Sequence, residues 1–320
     1  MTQKITVLTT DERGRFKGEA LSQVEESNAL AVERYRFRPG QRHLSPITYW
    51  WADWYSGDSS KWGKTLTLSD ALGFVILNIS SGSGTAKDAD WEEQARRAKT
   101  SGARVLGYVR TTFGKRPKAE VMQEIQNHID WYGVDGVFLD EAVNGWDDAQ
   151  KPYIPYYQDL YDSIKAKYGE IFWVINNPGS NTVEAMVSTA DVLMTYEQSA
   201  EKYLAPEVPV TPDHYRKYPS SKFWHVVHDV TQENYVAVME KAAAEHADHV
   251  YLTDLSFVPS PDPQTPAVNP YAAPPSDWLL ERQLIWARGG LELQKQIDSI
   301  QTGAAPAVSD NGDGTATITL

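Results

Sequence analysis

The chain has 320 residues, enough for one large α/β domain, and hydrophobic residues make up 41% of it, enough to build a sizeable core. A formal net charge of -13 repels phosphate backbones and anionic lipid, so nucleic acid and membrane are poor partners, while a neutral or amine-bearing polymer is compatible. Cysteine is absent, which removes disulfides, thiolate metal sites and thiol nucleophiles, and no run of 18 apolar residues or secretion-type leader is seen.

Eight short apolar runs recur in chain order: Ile47–Trp51, Phe74–Ile79, Val105–Val109, Gly136–Leu139, Phe172–Ile175, Val192–Thr195, Phe223–Val227 and His249–Leu252. Continuous runs of this length suit parallel strands buried on both faces. Helical patterns lie between them. Val121, Ile125 and Ile129 repeat every four residues, and Tyr157, Leu160, Tyr161, Ile164 and Tyr168 form a second stripe stopped by Gly169. After the eighth run a Pro-rich loop spans Pro259 to Pro275, and Ser276 is placed to start a last helix through Trp286.

Eight β–α alternations predict a (β/α)₈ TIM barrel over residues 43–302. An open dinucleotide-binding sheet is the rival, but Gly82-Ser83-Gly84 lacks the third glycine of its fingerprint and reads as a tight turn. Residues 1–42 form a polar extension with a helical stretch near Leu21 to Tyr35, and residues 303–320 read as a linker, a turn and a strand.

Catalytic groups of such barrels gather where the strands' carboxyl ends open into loops. There the fourth run delivers Asp140 and Glu141 side by side, and the sixth is followed by Glu197. Carboxylates facing one another across a sugar perform glycoside hydrolysis: one protonates the leaving oxygen, the other attacks or activates water. The acid of such a pair owes a raised pKa to burial and its like-charged neighbour. The competing reading makes Asp140 a helix cap and Glu197 an ordinary loop acid. His225 and His228, three apart on a strand, face opposite ways and cannot readily share an ion, which leaves a structural or substrate-contacting role for one of them. Neither HExxH nor GxSxG occurs, so no metal and no cofactor is expected.

Leu106-Gly107-Tyr108-Val109-Arg110-Thr111, Asp130-Trp131-Tyr132, Asp135 through Glu141, Asn177-Pro178-Gly179 and Thr195-Tyr196-Glu197 resemble, in this order, the spherulin-4-like (spherulation-specific) family of barrel glycoside hydrolases, related to endo-α-1,4-polygalactosaminidases. The resemblance covers about Ile47 to Leu252. It implies cleavage of internal α-1,4 linkages in a galactosamine- or N-acetylgalactosamine-containing polysaccharide, with Asp140, Glu141 and Glu197 as the acidic cluster. Asn78, Tyr108 and Asn177 would line the sugar site. Trp51 and Trp54 are candidate stacking platforms, with aromatic core as the other reading. Ile79 stands where familiar members carry proline. The implied substrate is extracellular, reached by a secreted or virion-associated protein. The alternative is a non-catalytic carbohydrate-binding barrel in a larger assembly such as a phage tail. Nothing in the pattern specifies an oligomer.

Overall fold

A computed structural model of the chain describes residues 42–206, 211–260 and 267–288, together with two short strand pairs, Thr9–Thr10 with Phe16–Lys17 and Ala307–Asp310 with Ala316–Thr319. The expected helical stretch near Leu21 to Tyr35 and the middle of the Pro-rich loop lie outside the described residues. The chain divides into two compact units, Met1–Phe37 and Arg38–Leu320.

The second unit carries eight parallel strands: β1 His43–Leu44, β2 Val75–Leu77, β3 Val105–Arg110, β4 Gly136–Asp140, β5 Trp173–Asn176, β6 Val192–Ser199, β7 Phe223–His228 and β8 His249–Leu252. A helix follows each: α1 Lys61–Leu66, α2 Ala89–Thr100, α3 Lys118–Tyr132, α4 Ile154–Tyr168, α5 Glu184–Val187, α6 Ala200–Leu204, α7 Tyr235–Ala244 and α8 Asp277–Ala287. Ladders join β2 through β8 in sequence, and β8 pairs with β1. A parallel bridge from Leu44 to Leu72 and the Gly73 N–H to Leu44 C=O bond of 2.8 Å bring the first strand against the second. The fold is the (β/α)₈ barrel.

Seven strands fall on the apolar runs, and the first is displaced. Pairing occurs at His43–Leu44 rather than at Ile47–Trp51, because Pro46 has no N–H to continue a ladder. The expected segment instead meets β2 through a side chain: the Thr48 hydroxyl donates to Ile76 C=O at 2.5 Å and accepts from Ile76 N–H at 2.8 Å.

Period-2 alternation sorts the barrel residues into two cores. Ile47, Phe74, Ile76, Leu106, Tyr108, Phe138, Ile175, Met194, Trp224 and Val226 fill the interior. Val105, Val109, Val137, Leu139, Val174 and Val227 face outward into the helix layer, meeting Trp91, Val121, Ile125, Leu160, Ile164 and Val238. Gly107 on β3 leaves room for the buried His128 ring of α3; a Cβ there would lie 2.4 Å from it. The His128 ring in turn bonds the Tyr108 carbonyl at 2.8 Å.

At the amino-terminal end of the strands a device repeats. Asp135 accepts from Val105 N–H at 3.0 Å and pairs with Lys99, and Asp191 accepts from Val174 N–H at 2.7 Å and pairs with buried Lys165 at 2.8 Å. Each acid ties the start of one strand to a helix of the outer layer. Asp135, part of the sequence motif, therefore serves the stability face of the barrel.

Candidate active site

Parity along β4 separates its two terminal acids. Asp140 shares the face of Phe138 and points into the barrel mouth, while Glu141 takes the next position with a left-handed φ of 55°. Its carbonyl accepts from Phe113 N–H at 2.7 Å and from the Thr111 hydroxyl at 3.0 Å, which holds this unusual backbone. The Glu141 carboxylate faces Arg110 at 3.9 Å.

Glu197 reaches the interior by a different route. On β6, Val192 and Met194 face inward, so strict alternation would send Tyr196 inward and Glu197 out. The register with β7 slips between Met194 and Tyr196: Met194 pairs with Trp224, but Tyr196 pairs with His225 and Glu197 with Val226. This β-bulge makes Thr195 the extra residue and reverses the parity. Glu197 thereby joins the inward face of Val226, and Tyr196 turns outward onto Tyr203 of α6, ring centroids 4.5 Å apart.

Asn177, one residue past β5 and on the parity of Ile175, joins the two acids. Its side-chain nitrogen donates to Asp140 Oδ1 at 2.8 Å and to Glu197 Oε2 at 3.3 Å. Its Oδ1 accepts from Gly179 N–H at 2.8 Å, which fixes the amide with its nitrogen toward the carboxylates. The Tyr108 hydroxyl donates to Asp140 Oδ2 at 2.5 Å. Asp140 thus has one donor on each oxygen.

Burial pushes the Glu197 carboxyl up to about 7; the Asp140 charge adds to the rise, and hydrogen bonds from Tyr271 and Asn177 oppose it. Tyr108 and Tyr271 are held well above the usual phenol range by burial, with Asp140 next for the first and Glu197 next for the second, so both remain donors at neutral pH.

Of the other expected site residues, Asn78 ends the β2 run half-buried, and its Oδ1 finds no protein partner. Trp51 is 53% exposed beyond β1, edge-on to Trp91. Trp54 lies under the Arg97 guanidinium and donates to Asp90, a packing arrangement at the outer layer. His225 is set apart from the acids. It shares the outward parity of Val227, lies 3% exposed, and bonds the Tyr203 hydroxyl at 2.7 Å; burial lowers its pKa to about 3. The strand-end acid Asp254 accepts from Ser276 N–H at 3.0 Å and anchors α8.

Two tyrosines escaped the sequence reading. Tyr271, delivered by the Pro-rich β8–α8 loop, is 6% exposed beside Glu197. Tyr49 stands edge-on to both Tyr108 (5.6 Å) and Tyr271 (6.3 Å), closing an aromatic collar around the acids. Tyr49 shares the parity of Ile47, a signal present in the first apolar run, whereas a loop without periodicity offers none for Tyr271.

The architecture is that of a (β/α)₈ TIM barrel. More particularly, the family described as Spherulation-specific family 4 matches residues 54–279, and the chain belongs to it. Spherulin-4 of Physarum polycephalum is 28% identical over 127 residues, which spans 39% of this chain and only 36% of that relative. The crystal structure of Aspergillus clavatus Sph3 in complex with GalNAc is similar at a TM-score of 0.56 and 20% identity, over 79% of this chain and 98% of that one. That of an endo-beta-N-acetylglucosaminidase from Cordyceps militaris is similar at 0.49 and 13%, over 84% and 97%.

Proposed function

We propose that this protein is a glycoside hydrolase cleaving internal α-1,4 linkages of a galactosamine- or N-acetylgalactosamine-containing polysaccharide. The observation that carries the reading is the Asp140–Asn177–Glu197 bridge at the barrel mouth: a carboxyl with a donor on each oxygen faces one that burial lifts to about 7. That division of labour is what acid-assisted glycoside cleavage requires. Membership of the family and the GalNAc named with the Aspergillus clavatus structure support the choice of sugar.

In this reading Glu197 gives its proton to the glycosidic oxygen as an Asp140 oxygen bonds to the anomeric carbon and the C–O bond to the leaving chain breaks. Glu197, now ionised, takes a proton from water, whose oxygen displaces Asp140 and restores both groups. Two oxygens at 2.8 and 3.3 Å from one nitrogen cannot be ~6.5–9.5 Å apart, the carboxyl separation of inverting enzymes, so the spacing supports retention of configuration. Glu141, turned toward Arg110, contributes negative charge to the rim rather than a reacting oxygen. A partly deacetylated polymer is cationic, and the acidic chain attracts it. The test is hydrolysis of a purified galactosamine-containing polymer by the wild type and by Asp140→Asn. Oligosaccharide release by the first alone supports the reading; equal release by both refutes it.

A further inference from the structure

The large apolar side chains exposed among the described residues are unevenly placed. Trp51, Tyr55, Phe113, Trp146, Phe257, Val258 and Val268 all stand on loops leaving the carboxyl ends of strands, the end that holds Asp140 and Glu197; Ile171, after α4, is the exception. Exposed apolar surface gathered at one opening marks a binding face. Trp146 is 55% exposed, yet both of its N–H groups are hydrogen-bonded. Its main-chain N–H donates to Asn144 Oδ1 at 3.0 Å, and its indole N–H donates to the Asn181 carbonyl at 2.7 Å.

Both loops that hold it descend from the reacting centre, one from Asp140 and the other from Asn177. They are stitched together around the indole: Ala142 N–H donates to Asn177 C=O at 2.9 Å, Val183 N–H to Asn144 C=O at 3.0 Å, and the Asn144 amide to the Ser180 hydroxyl at 3.0 Å. Gln150 Oε1 accepts from Asn144 and Gly145 N–H groups. Gly145, at a φ of +82°, permits the close approach, since a Cβ there would sit 2.6 Å from Val183. With its polar edge engaged, the indole offers an apolar face in a fixed orientation, prepaid in entropy.

We infer that Trp146 is a stacking subsite for a hexopyranosyl ring of the polysaccharide, one or more sugars away from the cleaved linkage on the β4–β5 side of the mouth. The apolar C–H face of a pyranose fits that surface, and the shared loops make it continuous with the acid pair. The inference rests on the hydrolase reading for its substrate, and its function is to hold a long chain rather than to react.

The test compares wild type, Trp146→Ala and Trp146→Phe on a galactosamine polymer and on its oligomers graded by length. The Ala variant raises KM for the polymer about tenfold with kcat at saturation within about twofold, and the Phe variant recovers most of the affinity. An unchanged polymer KM in the Ala variant overturns the subsite. Binding of the same oligomers to Asp140→Asn and to Asp140→Asn/Trp146→Ala, followed by calorimetry, separates the two claims. No hydrolysis by wild type, with binding that depends on Trp146, refutes the hydrolase and keeps the subsite. Equal binding by both variants, or none by either, refutes the subsite.

Discussion

Asp140 and Glu197 accept hydrogen bonds from the same nitrogen of Asn177, at 2.8 and 3.3 Å, although they come from strands four and six of the barrel. One amide, oriented by the Gly179 N–H, therefore sets the distance between the Asp140 carboxyl and one that burial lifts to about 7.

Removing either partner's chemistry should abolish turnover. Asp140→Asn and Glu197→Gln are expected to lower kcat/KM by about 10³-fold or more, with circular dichroism spectra like the wild type's, whereas Glu141→Gln costs about tenfold or less. Steady-state assays on one polymer preparation order the three variants. A Glu141 variant as impaired as the other two would remove the role assigned to Asp140 parity.

The bulge at Thr195 makes a separate prediction. Deleting Thr195 removes the extra residue, so Met194, Tyr196 and Glu197 alternate strictly as in, out and in, and Glu197 keeps its inward turn without the bulge. The folded deletion variant should therefore keep hydrolysis well above the level of Glu197→Gln, with helical and strand signals retained in far-ultraviolet spectra. Loss of hydrolysis to the level of Glu197→Gln in a folded deletion variant would contradict the assignment of Thr195 as the extra residue.

The pH profile carries the third. If Glu197 is the proton donor, activity declines as pH rises through about 7, where its carboxyl ionises. Tyr271→Phe removes a hydrogen bond that favours the ionised form, so the alkaline limb moves to higher pH while the peak rate falls. A limb that stays in place, or moves down, contradicts the contact.

Stability should fall on acidification. His43 and His128 are lowered to about 4, His225 to about 3, and His249 well below its ordinary value, each by burial first. The folded protein keeps these rings neutral while the unfolded chain protonates near pH 6.5, so the unfolded state binds more protons below that value. Stability is therefore full above about pH 6.5 and drains away as pH drops toward 4. Midpoints of urea unfolding between pH 8 and 4 measure it, and a flat series would contradict the neutral burial of these rings.

At the opposite end of the barrel, Asp191→Ala strands the buried Lys165 ammonium, which keeps the carbonyls of Glu170 and Phe172 and the Tyr161 ring face. The expected loss is about 3–5 kcal/mol of folding stability. A loss under about 1 kcal/mol would mean that the carbonyls suffice.

The sequence revealed the barrel because strands buried on both faces must be apolar throughout, and seven of its runs became strands. The same uniformity concealed which way side chains point. Phe223 to Val227 is apolar apart from His225, so nothing in the run tells that His225 faces Tyr203 and not the barrel interior. Glu197 was visible as an acid after an apolar run, but its inward turn depends on one unpaired residue that composition does not mark. Pro46 displaced the first strand because pairing ends where a donor is missing. Tyr271 and Trp146 sit in loops, where hydrogen bonds to distant backbone rather than periodicity decide orientation.

The central claim is most directly tested by the anomeric form of the first product, followed by proton NMR while purified wild type acts on an α-1,4-linked galactosamine-containing polymer, with Glu197→Gln alongside. The account predicts new reducing ends that appear first as the α anomer in the wild type and no release by the variant. First appearance of the β anomer, or undiminished release by Glu197→Gln, would contradict it.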